Sequence, residues 1–483
     1  MKISRRGFLR RAAEYGTGSL LAPSLAGLAA WNFASVPDAY GSVRVRRGAR
    51  PGGGYGPLVR SDDCPELMIP EGFRCVRLST TMQPSTVNPT LTVPNAVDGM
   101  ASFELPNGNV RLIRNHEITD EAARAVPIGS NPYDRRAGGG TTSLEVAIAG
   151  EGLDLEVRLV AESVTLSGTH VNCAGGPTPW GSWLTCEETT AGPLAGYERN
   201  HGYVFEVAVD AMEPVEPVPL TAMGRMVHEA VAVDPSTGFV YLTEDVRWSP
   251  SDLSARPGAG FYRFIPNTPE RLADGGRLQV LAIDGRPAYV TATGQQPGWA
   301  LEAVWIDIDD ADPPSAETDP SAVFRTALQR GAAIFQRLEG CFYGDESIYF
   351  NSTNGGDASA GQVWRFRPDG DDGGELILVF ESPSRDVLDS PDNLCTSPRG
   401  GLVICEDGSS DEFVRGLTPA GEIVDIVRSP QVSGQPSPTE FAGCCFSPDG
   451  RVLFFNQQGS TRSYGETAGS TYAIFGDWES GGV

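Results

Sequence analysis

Six short stretches of this chain follow one pattern, and that pattern constrains the fold more than any single motif. They are VRLIRNHE (110–117), GSWLTCEE (181–188), GFVYLTED (238–245), SIYFNSTN (347–354), GLVICEDG (401–408) and RVLFFNQQ (451–458). Each is an apolar run of strand length, rich in β-branched and aromatic residues. Each ends in acids or amides where a neutral turn would be ordinary. Upstream of each lies a second polar position followed by small or apolar residues: Asp98-Gly99, Asn172-Cys173-Ala174, His228-Glu229-Ala230, Glu339-Gly340, Asp392-Asn393-Leu394 and Glu440-Phe441-Ala442. The interval to the following cluster is mostly 12 to 17 residues, and about 19 in the first unit. Six such units predict an all-β chain, a six-bladed β-propeller with inserted loops and short helices, whose strands point their polar ends at one axis. Oxygen ligands gathered around one centre are how a protein holds hard cations.

Composition agrees with many short strands. The 483 residues include 58 Gly and 37 Pro, which suits frequent turns. Net charge is -25 and the sole lysine is Lys2, which argues against nucleic acid as a partner. The first residues, Ser4-Arg5-Arg6-Gly7-Phe8-Leu9, precede a modestly apolar stretch and read as a twin-arginine export signal. The expected organisation is a signal peptide over 1–35, a Gly- and Arg-rich linker or arm over 36–62, and the propeller over 63–483. No later segment is apolar and long enough to span a bilayer. The mature protein is therefore expected to be periplasmic or secreted, with the twin-arginine translocase as its partner during export and no stable membrane insertion. Nine cysteines leave at least one thiol unpaired, and no CxxC pair occurs. Cys173 differs from those inside apolar strands, because it lies in a Gly-rich loop beside a polar cluster.

The absences narrow the chemistry. Four histidines and no HExxH disfavour a multi-histidine zinc hydrolase, and no GxSxG elbow, P-loop or dinucleotide fingerprint is present in the mature region. Carboxylates remain, so metal-assisted chemistry is the reading they allow. NCAGGPTPWGSWLTCEE (172–188), GRMVHEAVAVDP (224–235), GFYRF (260–264), SPDNL (390–394) and EFAGCCFSPDG (440–450) together resemble the PhoX family of bacterial alkaline phosphatases. The resemblance spans most of the mature chain. It implies hydrolysis of small-molecule phosphomonoesters at a cluster of ferric iron and calcium on the propeller axis. It also implies an iron-bound cysteine thiolate at Cys173 and glutamate ligands at Glu188, Glu229 and Glu339, with Glu187 the fallback for Glu188. A thiolate among carboxylates is too soft for calcium alone. Glu117, Glu244, Asp392, Glu406 and Glu440 are the candidates for calcium and supporting positions.

Arg337 is the candidate phosphate clamp. It precedes Glu339 by two residues, which in an extended segment puts both side chains on one face, and a guanidinium can grip phosphate bidentately. The family has an arginine at the matching place. Arg114 is a weaker second candidate. Two rival readings are a calcium-dependent lactonase-like propeller esterase and a non-catalytic, calcium-stabilised propeller that binds a partner. Neither needs both the thiolate and the arginine.

Overall fold

The computed structural model describes residues 54–119, 125–129, 131–433, 437–461 and 467–483. The expected signal peptide and most of the linker lie outside the described residues. The rest of that linker is not free chain: Leu58–Arg60 pairs antiparallel with Met68–Pro70, which in turn pairs with Ile423–Ser429.

The described chain is all-β, arranged in five sheets, with one α-helix, Ala322–Leu328. All six sequence stretches are strands. Val110–His116, Ser182–Glu187, Val240–Glu244, Ser347–Ser352, Leu402–Glu406 and Leu453–Gln457 each pair antiparallel with a strand just upstream. Those upstream strands are Val97–Glu104, Asn172–Pro177, His228–Val233, Leu338–Gly344, Pro391–Thr396 and Phe441–Phe446. They carry the second polar position of every unit, and they neighbour one another in a closed circle. Outer strands follow, among them Gly139–Ala149, Val204–Ala208, Phe261–Pro266, Gln362–Asp369 and Ser470–Phe475. The circle closes where Arg74–Thr80, from the start of the described chain, pairs with Ser470–Phe475 from its end. Ala300–Asp307 bridges Gly276–Ile283 and Gly373–Glu381, fusing two units into one nine-stranded sheet.

These strands are buried on both faces, as sheets stacked around a circle require; every residue of Val110–His116 is buried. The faces interlock through large apolar side chains, including stacked Phe261 and Phe350 with ring centres 4.2 Å apart. All nine cysteines are free and buried, and five of them (Cys64, Cys75, Cys395, Cys405 and Cys444) share one apolar core. They act there as small hydrophobes.

Five first strands slip in register at the same place, between Val97 and Met100, Asn172 and Gly175, His228 and Val231, Leu338 and Cys341, and Pro391 and Leu394, and the sixth slips one residue later, between Ala442 and Cys445. A bulge leaves backbone groups without a ladder partner, and buried ones must find another. The neighbouring unit supplies it. Asn115 Nδ2 donates to the Cys173 and Ala174 carbonyls (3.1 and 2.7 Å). Thr243 Oγ1 donates to Glu339 O, Asn351 Nδ2 to Asp392 O and Asn456 Nδ2 to Asp98 O, each at 2.6 Å. These buried side chains thus fix the backbone of the next unit's inward residue. The close approach also explains the small residues that follow: a Cβ on Gly99 would sit 2.5 Å from Ala174 Cα, and one on Gly340 2.6 Å from Asp392 O.

Candidate metal centre

Two tiers of side chains face the middle of the circle. The first comes from the bulges of the first strands: Asp98, Cys173, Glu229, Glu339 and Asp392, with Ala442 at the sixth place. The second comes from the residue just past each partner strand: Glu117, Glu188, Asp245, Thr353, Asp407 and Gln458. One repeated backbone bond ties the tiers together. The amides of those six donate to the carbonyls of Ala96, Val171, Val227, Arg337, Ser390 and Glu440, at 2.8, 2.8, 3.1, 3.0, 2.9 and 3.1 Å. Four of these acceptors, Ala96, Val171, Arg337 and Ser390, hold φ of 51, 52, 48 and 52°. Left-handed backbone costs a non-glycine residue about 1–3 kcal/mol, most for a β-branched one such as Val171. Its recurrence two residues before an inward ligand marks it as the turn that aims that ligand.

The potential ligand atoms converge in three groups, in each of which all atoms lie within 4.8 Å of one another: Cys173, Glu188 and Glu229; Glu229, Glu339 and Asp392; and Asp98, Glu117 and Glu440. Glu229 belongs to two of them. Cys173 Sγ is 3.2 Å from Glu229 Oε1 and 3.8 Å from Asp98 Oδ1, which links the first group to the third. Gln458 Nε2 donates to both Asp98 Oδ2 (2.6 Å) and Glu117 Oε2 (2.7 Å). Asn393 holds Asp392 Oδ1 at 3.0 Å and accepts the Gly443 amide at 2.7 Å.

Electrostatics shows what such a cluster needs. Burial raises the Glu229 carboxyl well above its ordinary range, and the charges of Glu339, Glu188, Asp392 and Asp98 raise it further. Glu117, Glu188, Glu339, Asp392 and Glu440 are pushed up by the same two causes, burial first. Asp98 is raised to about 7 by burial. The Cys173 thiol is likewise held protonated by burial and then by Asp98 and Glu229. Glu229 Oε2 is buried and, among the described residues, has no hydrogen-bond partner. Buried carboxylates without partners are costly unless a cation compensates them. The orphaned oxygen, the convergent donors and a thiol among oxygens therefore fit bound metal ions.

Among the described residues, one guanidinium reaches this cluster. Arg337 Nε and Nη2 donate to Asp245 (2.8 and 2.6 Å), and Nη2 lies 2.9 Å from Glu339 Oε1. Burial alone would lower its pKa, but the charges of Glu339, Asp245 and Glu188 outweigh that and keep it cationic. It sits beside Glu339 because of the left-handed turn at Arg337, not because the segment is extended as the sequence suggested; the strand begins at Leu338. The forked edge expected to grip phosphate is occupied by Asp245, and the Nη1 edge has a long contact to Asn354 Oδ1 at 3.3 Å.

Two sequence-predicted ligands are not brought to the centre. Glu244 turns into its own sheet, where Oε2 accepts from the Gly260 amide and the Tyr262 hydroxyl, both at 2.8 Å; burial raises its pKa to about 8. Glu406 is paired with Arg415 (2.9 Å) and accepts the Asp389 amide (3.0 Å). The reason is strand alternation: successive side chains face opposite ways, so the next residues, Asp245 and Asp407, hold the inward phase. Glu187, the fallback for Glu188, faces away for the same reason and is occupied by His201 (2.7 Å) and the Gly202 amide (2.8 Å). Arg114 is fully buried, bonded to Glu162, Thr142 and Thr471, and cannot serve as a clamp. Sequence reasoning also passed over Gln458 and the four carbonyl-holding residues, although an Asn or Thr stands two places before four of the six inward residues, Glu117, Asp245, Thr353 and Gln458.

Comparison with known proteins fits this geometry. The family model described as "Alkaline phosphatase PhoX" matches residues 53–460. The chain belongs to the PhoX family of alkaline phosphatases. It is therefore a metal-dependent phosphomonoesterase, and the lactonase and binding-protein readings gain no support. Among solved structures, PhoX of Pseudomonas fluorescens, in complex with vanadate, a transition-state analogue, is 21% identical with a TM-score of 0.63, covering 90% of this chain and 99% of that one. A gluconolactonase of Xanthomonas campestris is 12% identical with a TM-score of 0.39, covering 88% and 98%. No curated protein sequence gives a significant match. Among the described residues, no helix of this PhoX-family chain is long and apolar enough to cross a membrane.

Proposed function

We propose that the circle of six first strands is the hub of a six-bladed propeller, and that iron and calcium on its axis serve hydrolysis of small-molecule phosphomonoesters. The observation that carries this is Glu229, shared by two ligand groups and holding a buried oxygen with no hydrogen-bond partner among the described residues. The group containing Cys173, with Glu188 and Glu229, suits iron, because thiolate is a soft ligand. The all-oxygen group of Asp98, Glu117 and Glu440 suits calcium. Bound there, the ions would supply Lewis-acid stabilisation of the charge developing on the phosphoryl oxygens.

The chain's own residues do the positioning. Asp245 fixes the Arg337 guanidinium and leaves its Nη1 edge for a phosphoryl oxygen of the substrate. Asn115, Thr243, Asn351 and Asn456 keep the ligand-bearing bulges from relaxing, and Gln458 holds Asp98 and Glu117 at a common spacing. Supporting contacts of this kind typically govern metal affinity by 10–100-fold.

The assignment of iron is tested by Cys173→Ser. Ferric thiolate absorbs visible light, so the wild type should be coloured, and the variant should be bleached and iron-poor with unchanged far-UV circular dichroism. A fully active, colourless wild type without iron would remove iron from the account. The Ser4-Arg5-Arg6-x-Phe8-Leu9 start supports export by the twin-arginine translocase to the periplasm or beyond. Arg5→Lys combined with Arg6→Lys should strand active enzyme in the cytoplasm; normal periplasmic activity in that double variant would refute the route.

A further inference from the structure

We propose that a groove beside Asp245 receives a second anionic group on the substrate, so that phosphomonoesters whose alcohol portion carries a carboxylate or another phosphate are preferred. This rests on the phosphatase reading above and specifies its substrate class. The groove, about 790 Å³ in volume, has Val227, Asp245 and Val246 as its inner wall. Asp245 is also the residue that fixes Arg337 (Nη2 to Oδ2, 2.6 Å), so one residue of the groove touches the guanidinium of the site.

Its outer wall is a hairpin. Trp248 pairs with Pro257, the Ser249 amide donates to Arg256 O (3.0 Å) and the Gly258 amide to Arg247 O (3.1 Å). Arg247 and Arg256 therefore stand on the two arms of the hairpin, both exposed. The Trp248 amide donates to Gln336 Oε1 (2.5 Å), which anchors the hairpin next to Arg337. The third arginine of the groove, Arg325, is occupied: it pairs with Asp319 (2.7 Å) and donates to the Leu253 carbonyl (3.1 Å), tying the helix to the hairpin.

Charge accounting identifies the occupant. Both acids of the groove are already ion-paired, Asp245 with Arg337, which Glu339 shares, and Asp319 with Arg325. Arg247 and Arg256 line the same groove, and among the described residues neither has an ion pair or side-chain hydrogen bond. In a chain of net charge -25, two unpaired guanidinium groups facing one groove form a local positive site in a negative field. Guanidinium recognises carboxylate and phosphate through the same fork of donors, so the groove selects a class of anion and not one compound.

The test compares matched substrates on the metal-loaded enzyme: glycerol 3-phosphate against 3-phosphoglycerate, and fructose 6-phosphate against fructose 1,6-bisphosphate. The wild type should favour the doubly charged member of at least one pair by roughly tenfold in kcat/KM, an effect scaled to charged hydrogen bonds at an exposed site. The pair that responds tells carboxylate from phosphate. Arg247→Gln with Arg256→Gln should abolish the preference through KM, while kcat/KM for glycerol 3-phosphate and p-nitrophenyl phosphate stays within about twofold of wild type. No preference in the wild type, or equal losses on both members of each pair, overturns the proposal. Hydrolysis of p-nitrophenyl phosphate by both proteins shows, in either case, that the phosphatase reading stands apart from it.

Discussion

Glu229→Gln should reduce kcat/KM for p-nitrophenyl phosphate by about a thousandfold or more. The side chain belongs to two ligand groups at once, so one substitution weakens both. Loss of a single preorganised electrostatic contact costs about 10²–10³ in rate, and this change disturbs more than one. A purely structural acid would show the opposite balance of effects. Glutamine is isosteric with a protonated carboxyl, and in the metal-free chain burial and four neighbouring acids already favour the protonated form. The raised folded-state pKa makes that carboxyl's contribution to stability fully present below its unfolded value near 4.5, and the contribution is lost as pH rises through the folded value. The metal-free wild type should therefore lose stability as pH climbs above about 4.5, and the metal-free variant should lose less. Thermal unfolding of both proteins after metal removal, followed across pH, checks this. A variant that is less stable than wild type without metal, at neutral or alkaline pH, would show that Glu229 has a structural partner instead.

Arg337→Ala should cost about 10²–10³ in kcat/KM, the range found when one preorganised donor to a developing charge is removed. Its removal also leaves Asp245 and Glu339 without their cation, which alters the charge at the centre. Asp245→Asn separates the two roles. It keeps Arg337 but frees the fork that now grips Asp245, so the guanidinium loses its fixed orientation. If Arg337 contacts the phosphoryl group, Asp245→Asn should show a partial loss, intermediate between wild type and Arg337→Ala, with metal content intact. Equal metal loss in both variants, with activity tracking metal content alone, would make Arg337 a residue that only balances charge.

Much of this arrangement was legible in the sequence, because the periodicity that builds the circle is local. An apolar run with a polar end, repeated six times, specifies strands and their phase. The two misplaced acids show the limit. Glu244 and Glu406 end apolar runs just as Glu117 and Glu188 do, but alternation puts their successors, Asp245 and Asp407, on the inward side. Composition of the cluster cannot resolve a shift of one residue; for Asp245 the Thr243 two places upstream can, since it reaches the neighbouring unit, but Asp407 has Cys405 at that place and carries no such mark. The pairing of Arg74–Thr80 with Ser470–Phe475 was invisible because it joins segments nearly 400 residues apart, with no local signal. The occupation of the Arg337 fork by Asp245 depends on a left-handed turn that sequence spacing does not reveal.

The central claim is that the buried carboxylates and Cys173 form a metal centre on which phosphomonoester hydrolysis depends. Hydrolysis of p-nitrophenyl phosphate, measured before and after exhaustive chelation on protein assayed for iron and calcium, tests it most directly. The account predicts that activity falls to background as the metals leave and returns when calcium is restored to protein that keeps its iron. Full activity in protein shown to contain neither metal would contradict it.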